Sequence, residues 1–275
     1  MGPVELTVAD LDAQAAFYTD TIGLHVLERG GDTVRLGVSD GSQLVTLVGR
    51  PDAPRRPPRT SGLFHLAILV PSRPELALAV HRVTSSGRQF TGASDHLVSE
   101  ALYLDDPEGN GIEIYRDRPR DEWTYDAGEL AMATLPLDLE GVLASLTEPP
   151  SGEGMTEGTR IGHVHLQVAA IPAAEAFYVG ALGFEPTVRR LSGALFVAAG
   201  GYHHHVGLNT WAGQAVPAPP LGSLGLRTFT IVLPDGAARE RAVGAATEAG
   251  LEVLDDAGRA VVTDPSGNRA VLAVA

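Results

Sequence analysis

Alternating apolar and polar positions, followed by a helical pattern, occur twice along this chain at a constant offset of 160 residues. The run VELTVADLDAQAAFYTDTIGL aligns with VHLQVAAIPAAEAFYVGALGF, so the pair Phe17-Tyr18 corresponds to Phe177-Tyr178. Each copy is typical of a strand followed by an amphipathic helix that carries the aromatic pair. The predicted helix starts and glycine stops are Asp10 with Gly23 and Pro172 with Gly183.

A second pair of similar runs completes a fourfold organisation. FHLAILVPSRPELALAVHRV resembles FTIVLPDGAARERAVGAATEAG, and DDPEGNGIEIY resembles TDPSGNRAVLA. The shared Asp-Pro-X-Gly-Asn sequence predicts a hairpin turn. Proline-rich connectors, GRPDAPRRPPRTSG and Ala212–Gly225, separate the quarters of each half. The sequence therefore predicts four units of strand, helix and three strands.

The two halves are joined by a longer segment with one weak helix candidate at LEGVLASL. We predict a first domain at residues 1–118, a linker at 119–160 and a second domain at 161–275. Each domain would contain two of the four units.

Composition narrows the class of protein. The 275 residues are 44% hydrophobic, enough for a full core, while a net charge of -14 argues against nucleic acid and anionic membranes as partners. Without cysteine, any metal must bind His, Asp or Glu. The N-terminal run has no basic region followed by an apolar one, so we expect a soluble cytoplasmic protein, for which a homo-oligomer is an option.

Glu113, in DPEGNGIEIYRDRP, is an acidic residue on a predicted strand with apolar neighbours. Strand alternation puts the two flanking isoleucines on one face and Glu113 with Tyr115 on the other, so the carboxylate is not simply on a wet face. A buried carboxylate needs a partner, and a metal ion is the obvious one. His65 in GLFHLAILV and His163 in IGHVHLQV each follow a predicted strand start. Together they have the composition of a ferrous facial triad.

The aromatic pair on the helix, the LGL or LGF run after it and the DPxGNxIE run resemble the vicinal oxygen chelate superfamily. That superfamily contains the glyoxalase, bleomycin-resistance and extradiol dioxygenase families. The resemblance covers nearly the whole chain apart from the linker, and IGHVHLQV, GALFVAAGGYHHHVGLNTW and DHLVSEALYLDDPEGNGIEIYRDRP are similar to bacterial catechol 2,3-dioxygenase-type proteins. It implies an α+β fold of four βαβββ units paired into two half-barrel cups.

In that superfamily the first metal ligand lies fourteen residues before the phenylalanine of the aromatic pair. Counting back from Phe177 reaches His163, whereas the same count from Phe17 reaches Pro3. The first quarter has therefore lost its ligand.

The second quarter keeps both family positions, His65 and Glu113, while the fourth has Thr228 and Val271 there. The resemblance thus implies that His65, Glu113 and His163 bind Fe(II), with Mn(II) as the alternative ion. A catechol-like aromatic diol and O2 would be the partners. Bringing the three ligands together requires the second and third quarters to share one cup.

Four further residues are implied for catalysis. His204 aligns best with a family histidine that assists proton transfer, although His203 or His205 could take that place. Because a strand alternates faces, we expect one or two of this histidine triple to point outward. Tyr103 has the family spacing of ten residues before Glu113, and His96 matches another family histidine if two residues are deleted. His165 is either close to the ligands or an ordinary strand residue.

The function that these features favour is an iron-dependent extradiol dioxygenase that opens the ring of a catechol-like diol. A glyoxalase-like metal lyase is the first alternative, but it would prefer a second carboxylate where this chain has histidines. A metal-free protein that sequesters an aromatic drug is the second alternative, and three retained ligand-type residues argue against it.

Overall fold

A computed structural model describes residues 1–147, 154–256 and 258–275 of the chain. Residues 148–153 of the predicted linker lie outside the described residues. The predicted domain boundaries at 118 and 160 stay a prediction.

The four quarters have the predicted order of elements. The first is β1 (Val4–Val8), α1 (Leu11–Phe17), β2 (His25–Gly30), β3 (Thr33–Gly37) and β4 (Gln43–Gly49). The second is β5 (Gly62–Leu69), α2 (Arg73–Ser85), β6 (Gly92–Asp95), β7 (Ser99–Asp105) and β8 (Gly111–Asp117).

The segment between the halves is not free of regular structure. It contains β9 (Tyr125–Asp126), β10 (Glu129–Leu130), β11 (Leu135–Pro136) and α3 (Leu139–Ala144), the last at the predicted helix candidate. The third quarter is β12 (Arg160–Gln167), α4 (Ile171–Glu175), β13 (Glu185–Val188), β14 (Ala194–Ala198) and β15 (Val206–Asn209). The fourth is β16 (Gly225–Leu233), α5 (Gly236–Glu248), β17 (Val253–Asp256), β18 (Arg259–Thr263) and β19 (Arg269–Val274).

The strands form two large sheets, each built from two quarters. The eight-stranded sheet has the order β17-β18-β19-β16-β1-β4-β3-β2, and the nine-stranded sheet has the order β11-β6-β7-β8-β5-β12-β15-β14-β13. The second and third quarters thus share one sheet, as the ligand positions require, and β5 is next to β12. The α+β class with four βαβββ units in two half-barrel cups is confirmed.

The helix of the first quarter begins and ends where the sequence predicts. The Asp10 side chain caps α1 by accepting a hydrogen bond from the backbone N–H of Ala13 at 3.0 Å. The aromatic pair then initiates a wider π-helical turn at Tyr18–Ile22, which Gly23 ends with a φ of 93°. Such turns insert an extra residue into a helix.

Both Asp-Pro-X-Gly-Asn runs form tight turns tied to the aromatic pairs. The carboxylate of Asp106 accepts hydrogen bonds from the backbone of Asn110 at 2.9 Å, and Asp264 does the same with Asn268 at 2.8 Å. The Tyr178 hydroxyl donates to Asp264 at 3.1 Å. The repeated sequence motifs are therefore in contact in the folded chain.

By its contacts the described chain divides into two compact regions, whose bounds differ from those of the four βαβββ units. One contains Met1–Thr7, Ala53–Phe64 and His163–Ala275, and the other contains Val8–Asp52 and His65–Gly162. Each compact region contains a fully buried tyrosine, Tyr178 in the first and Tyr18 in the second. No helix in the described ranges is long and apolar enough to cross a membrane.

Candidate metal centre

Glu113 is buried on β8, as predicted, with only 3% of its surface exposed. Its strand neighbours Ile112 and Ile114 are also buried, on the other face. The Glu113 Oε2 atom lies 2.9 Å from Nε2 of His65, itself buried on the parallel neighbour β5. Taking a carboxylate out of water costs several kcal/mol, roughly, unless a charged or metal partner offsets it. The contact with the His65 imidazole offsets part of that cost.

His163 on β12 completes a group of three ligand-type residues. One potential ligand atom from each of His65, Glu113 and His163 lies within 4.8 Å of the others, and all three side chains are buried. Two ligands bound at about 2.1 Å to one ion lie at most about 4.2 Å apart. Small side-chain movements would therefore suffice for all three to reach a common ion, and the residues fit a divalent metal.

Tyr103 lies directly opposite Glu113, because β7 and β8 pair in the register Tyr103↔Glu113. Burial raises the pKa of the Tyr103 hydroxyl well above its ordinary value, and the negative charge of the neighbouring Glu113 carboxylate raises it further. The hydroxyl is therefore protonated at neutral pH. It also lies 2.7 Å from Nε2 of His96, so two of the four residues that the sequence proposes for catalysis form a hydrogen-bonded pair.

His204 is buried, and its ring centroid lies 4.0 Å from that of His163. Its Nδ1 is 2.7 Å from Nδ1 of His203, which is also buried. Strand alternation was the wrong basis for the triple, because β15 begins only at Val206 and the three histidines lie in the preceding turn. A turn can bury two adjacent side chains, and here only His205 is partly exposed.

His165 is buried on β12 among aromatic rings. The ring centroids of Phe64, Phe196 and Trp211 lie 5.1, 5.5 and 5.4 Å from that of His165. The imidazole lies against Gly207 on β15, where an added Cβ would be 2.9 Å from its Cγ. Glycine at 207 thus makes room for this ring.

These aromatic neighbours are not singled out by sequence patterns. Phe64 directly precedes His65, and Phe196 is the one aromatic residue of β14, but neither position carries a signal that separates a site residue from core. Trp211 is 54% exposed and Phe64 38% exposed, although both rings contact the buried imidazole of His165. Exposure, which sequence does not reveal, marks Phe64 and Trp211, whereas the buried Phe196 is identified by its contact with His165.

The comparisons with known proteins agree with this fold. The family model described as the Glyoxalase/Bleomycin resistance protein/Dioxygenase superfamily matches residues 1–114 and 160–272, and the chain belongs to that superfamily. Catechol-2,3-dioxygenase of Bacillus subtilis (strain 168) is 40% identical over 269 residues, which span 96% of this chain and 93% of that relative.

A second relative, biphenyl-2,3-diol 1,2-dioxygenase 3 of Rhodococcus globerulus, is 30% identical over 129 residues, 45% of this chain and 68% of the relative. Among solved structures, a putative dioxygenase from Bacillus subtilis subsp. subtilis str. 168 has a TM-score of 0.68 at 14% identity, covering 100% of this chain and 85% of that one. Glyoxalase I from Zea mays has a TM-score of 0.61 at 16% identity, covering 99% and 91%. At these identities the structures show a shared fold.

Proposed function

We propose that this protein is an iron-dependent extradiol dioxygenase that opens the ring of a catechol-like aromatic diol with O2. The observation that carries the proposal is the buried group of two imidazoles and one carboxylate, His65, His163 and Glu113. The likeness to a catechol-2,3-dioxygenase over 96% of the chain supports the same chemistry.

Fe(II) held by these three side chains would keep open coordination positions for both oxygens of a diol and for O2, and would supply a redox-active centre. Mn(II) prefers similar ligands and is the alternative ion. A glyoxalase-like lyase is less well supported, because the ligand-type group found among the described residues contains a single carboxylate, and its ring neighbours include His204 and Tyr103.

Two neighbours of the ligands are suited to moving protons. The imidazole of His204, against the ring of His163, would take a proton from the diol and return it later in the reaction. The hydroxyl of Tyr103, protonated because burial raises its pKa, would accept a hydrogen bond from a hydroxyl group of the diol. His96 would hold that hydroxyl in place through the 2.7 Å contact.

The substrate ring would be bound by the aromatic cluster of Phe64, Phe196 and Trp211 around His165. Edge-to-face contacts between rings contribute about 0.5–1.5 kcal/mol each beyond burial. Phe64 and Trp211 already pack in this way, with centroids 5.3 Å apart and planes at 79°. Their exposed faces could receive an aromatic ring, whose polar substituents the imidazole of His165 would read.

Anaerobic reconstitution with ferrous ion tests the proposal. After chelation, Fe(II) should restore formation of a yellow ring-opened product from substituted catechols in the presence of O2, and Zn(II) should bind without turnover. Glu113→Gln should lose both metal and activity, whereas His81→Ala, at an exposed histidine, should keep both. Full activity with Zn(II) alone, or binding of aromatic compounds by the Fe(II)-loaded protein without any turnover, would refute it.

A further inference from the structure

A segment outside the matched family regions reaches the candidate site. Residues 119–138, which we name the bridging segment, fall between the matched ranges 1–114 and 160–272. Its last strand, β11, pairs antiparallel with β6, in the register Leu135↔Asp95. The next residue after Asp95 is His96, the partner of Tyr103.

The bridging segment is anchored by buried side chains. Leu130 is 3% exposed and Met132 9% exposed. Trp123 is 8% exposed, and its indole N–H donates to the backbone carbonyl of Arg118 at 3.0 Å. These anchors hold the backbone around Ala133 against the edge of the nine-stranded sheet.

The carbonyl oxygen of Ala133 lies 2.7 Å from Nδ1 of His96. A carbonyl only accepts hydrogen bonds, so Nδ1 must carry the proton. In a neutral imidazole this leaves Nε2 as an acceptor, and Nε2 is the atom 2.7 Å from the Tyr103 hydroxyl. The bridging segment thereby decides which ring nitrogen faces Tyr103 and which of the two carries hydrogen.

The choice of tautomer matters for Glu113. The Tyr103 hydroxyl has one proton, which can be donated either to Nε2 of His96 or to the Glu113 carboxylate. An unprotonated Nε2 accepts the hydrogen bond from the Tyr103 hydroxyl, which leaves the lone pairs of Glu113 available to a metal ion. An Nε2–H tautomer would instead donate to the Tyr103 oxygen and turn its proton toward Glu113.

We propose that Ala133, held by the bridging segment, is a positioning residue for the His96–Tyr103 pair. Its carbonyl keeps His96 in the Nδ1–H tautomer with Nε2 toward the Tyr103 hydroxyl. The catalytic consequence rests on the proposed dioxygenase function, whereas the tautomer is a property of the protein itself.

The tautomer can be read by NMR of ¹⁵N-histidine-labelled protein loaded with Zn(II) as a diamagnetic ion. The His96 resonances are assigned by their loss in His96→Gln. We expect the Nδ1–H form in the parent protein. An Nε2–H form in the parent would overturn the proposal whatever the variants do.

Two leucines of the bridging segment provide a matched pair of variants. Leu130→Ala removes a buried anchor, and Leu135→Ala truncates a side chain that is 44% exposed. We expect Leu130→Ala to mix the two tautomers and to lower kcat about 10- to 100-fold with little change in KM, as for other lost positioning contacts. Leu135→Ala should behave like the parent. An unchanged tautomer and kcat in a folded Leu130→Ala would contradict the role of the segment.

The two proposals fail separately. Absence of ring cleavage by the iron-loaded parent would overturn the dioxygenase function and leave the tautomer result intact. Ring cleavage by a parent with the Nε2–H form would overturn the positioning role alone.

Discussion

The packing beside His163 gives a prediction that joins stability to metal binding. Gly162, the preceding residue on β12, lies against the buried ring of Tyr115. A Cβ at position 162 would be 1.8 Å from the Tyr115 Oη, 2.7 Å from its Cζ and 3.1 Å from the Leu69 Cβ. Tyr115 has no exposed surface, so its ring cannot swing into solvent. Reaching even a 3.0 Å contact requires the ring and the strand to separate by about 1.2 Å.

We therefore expect Gly162→Ala to lower the free energy of unfolding by about 1–3 kcal/mol, the usual cost of overpacking a dense core. At about 2–4 °C per kcal/mol for a chain of this size, the Tm should fall by about 2–12 °C. Because the displaced backbone carries His163, Fe(II) binding should weaken as well, by about tenfold or more. Thermal unfolding followed by circular dichroism, and anaerobic Fe(II) titration, measure the two effects.

Two further variants test the cause. Tyr115→Phe removes Oη, so Gly162→Ala should cost less in that background, with a coupling of about 0.5–2 kcal/mol. Gly244→Ala, in α5 where nothing lies within 4 Å of the new methyl group, should raise stability by up to about 1 kcal/mol. A Gly162→Ala protein with the Tm and Fe(II) affinity of the parent would refute the reasoning.

Three other predictions concern side chains already described. His204→Ala should keep its metal yet lower turnover by about 10²- to 10⁴-fold, and metal loss in an iron assay would instead make the histidine triple part of the ligand set. Tyr103→Phe should have a milder effect on turnover, because it removes a hydroxyl and no volume; an unchanged rate would assign Tyr103 to packing. Tyr178→Phe removes the 3.1 Å donor to Asp264 and should cost about 1–2 kcal/mol at neutral pH. Burial raises the pKa of the Asp264 carboxyl, and loss of the Tyr178 donor raises it further in the variant. As pH falls through that raised pKa, the carboxyl becomes protonated and no longer needs the donor. The loss of stability relative to the parent should therefore shrink in acid. Denaturant unfolding at several pH values checks this, and a loss of stability that grows in acid would contradict it. The Tyr18 hydroxyl is 3.4 Å from Asp106, so Tyr18→Phe should cost less stability than Tyr178→Phe.

Much of the fold could be predicted because its signals are local. The cap at Asp10, the stop at Gly23 and the turns that begin at Asp106 and Asp264 depend on backbone conformation and on side chains only a few residues away. Repetition of these signals established four similar units. The ligand-type residues were recognisable for a similar reason, since His65 and His163 occupy equivalent places on the first strands of their units. Glu113 was recognisable because an acid on an apolar strand calls for a partner.

Other features were decided only by the tertiary structure. The neighbourhood of β5 and β12 depends on how whole units bury their surfaces, and no short sequence pattern encodes it. The histidine triple shows the limit of periodicity, because alternation applies on a strand and these residues lie in a turn before one. The contact between His96 and Ala133 joins residues far apart in the chain, and it exists because buried side chains hold the bridging segment at the sheet edge. The sequence by itself determined the unit and its ligand-type residues, whereas packing between distant segments decided which of them meet.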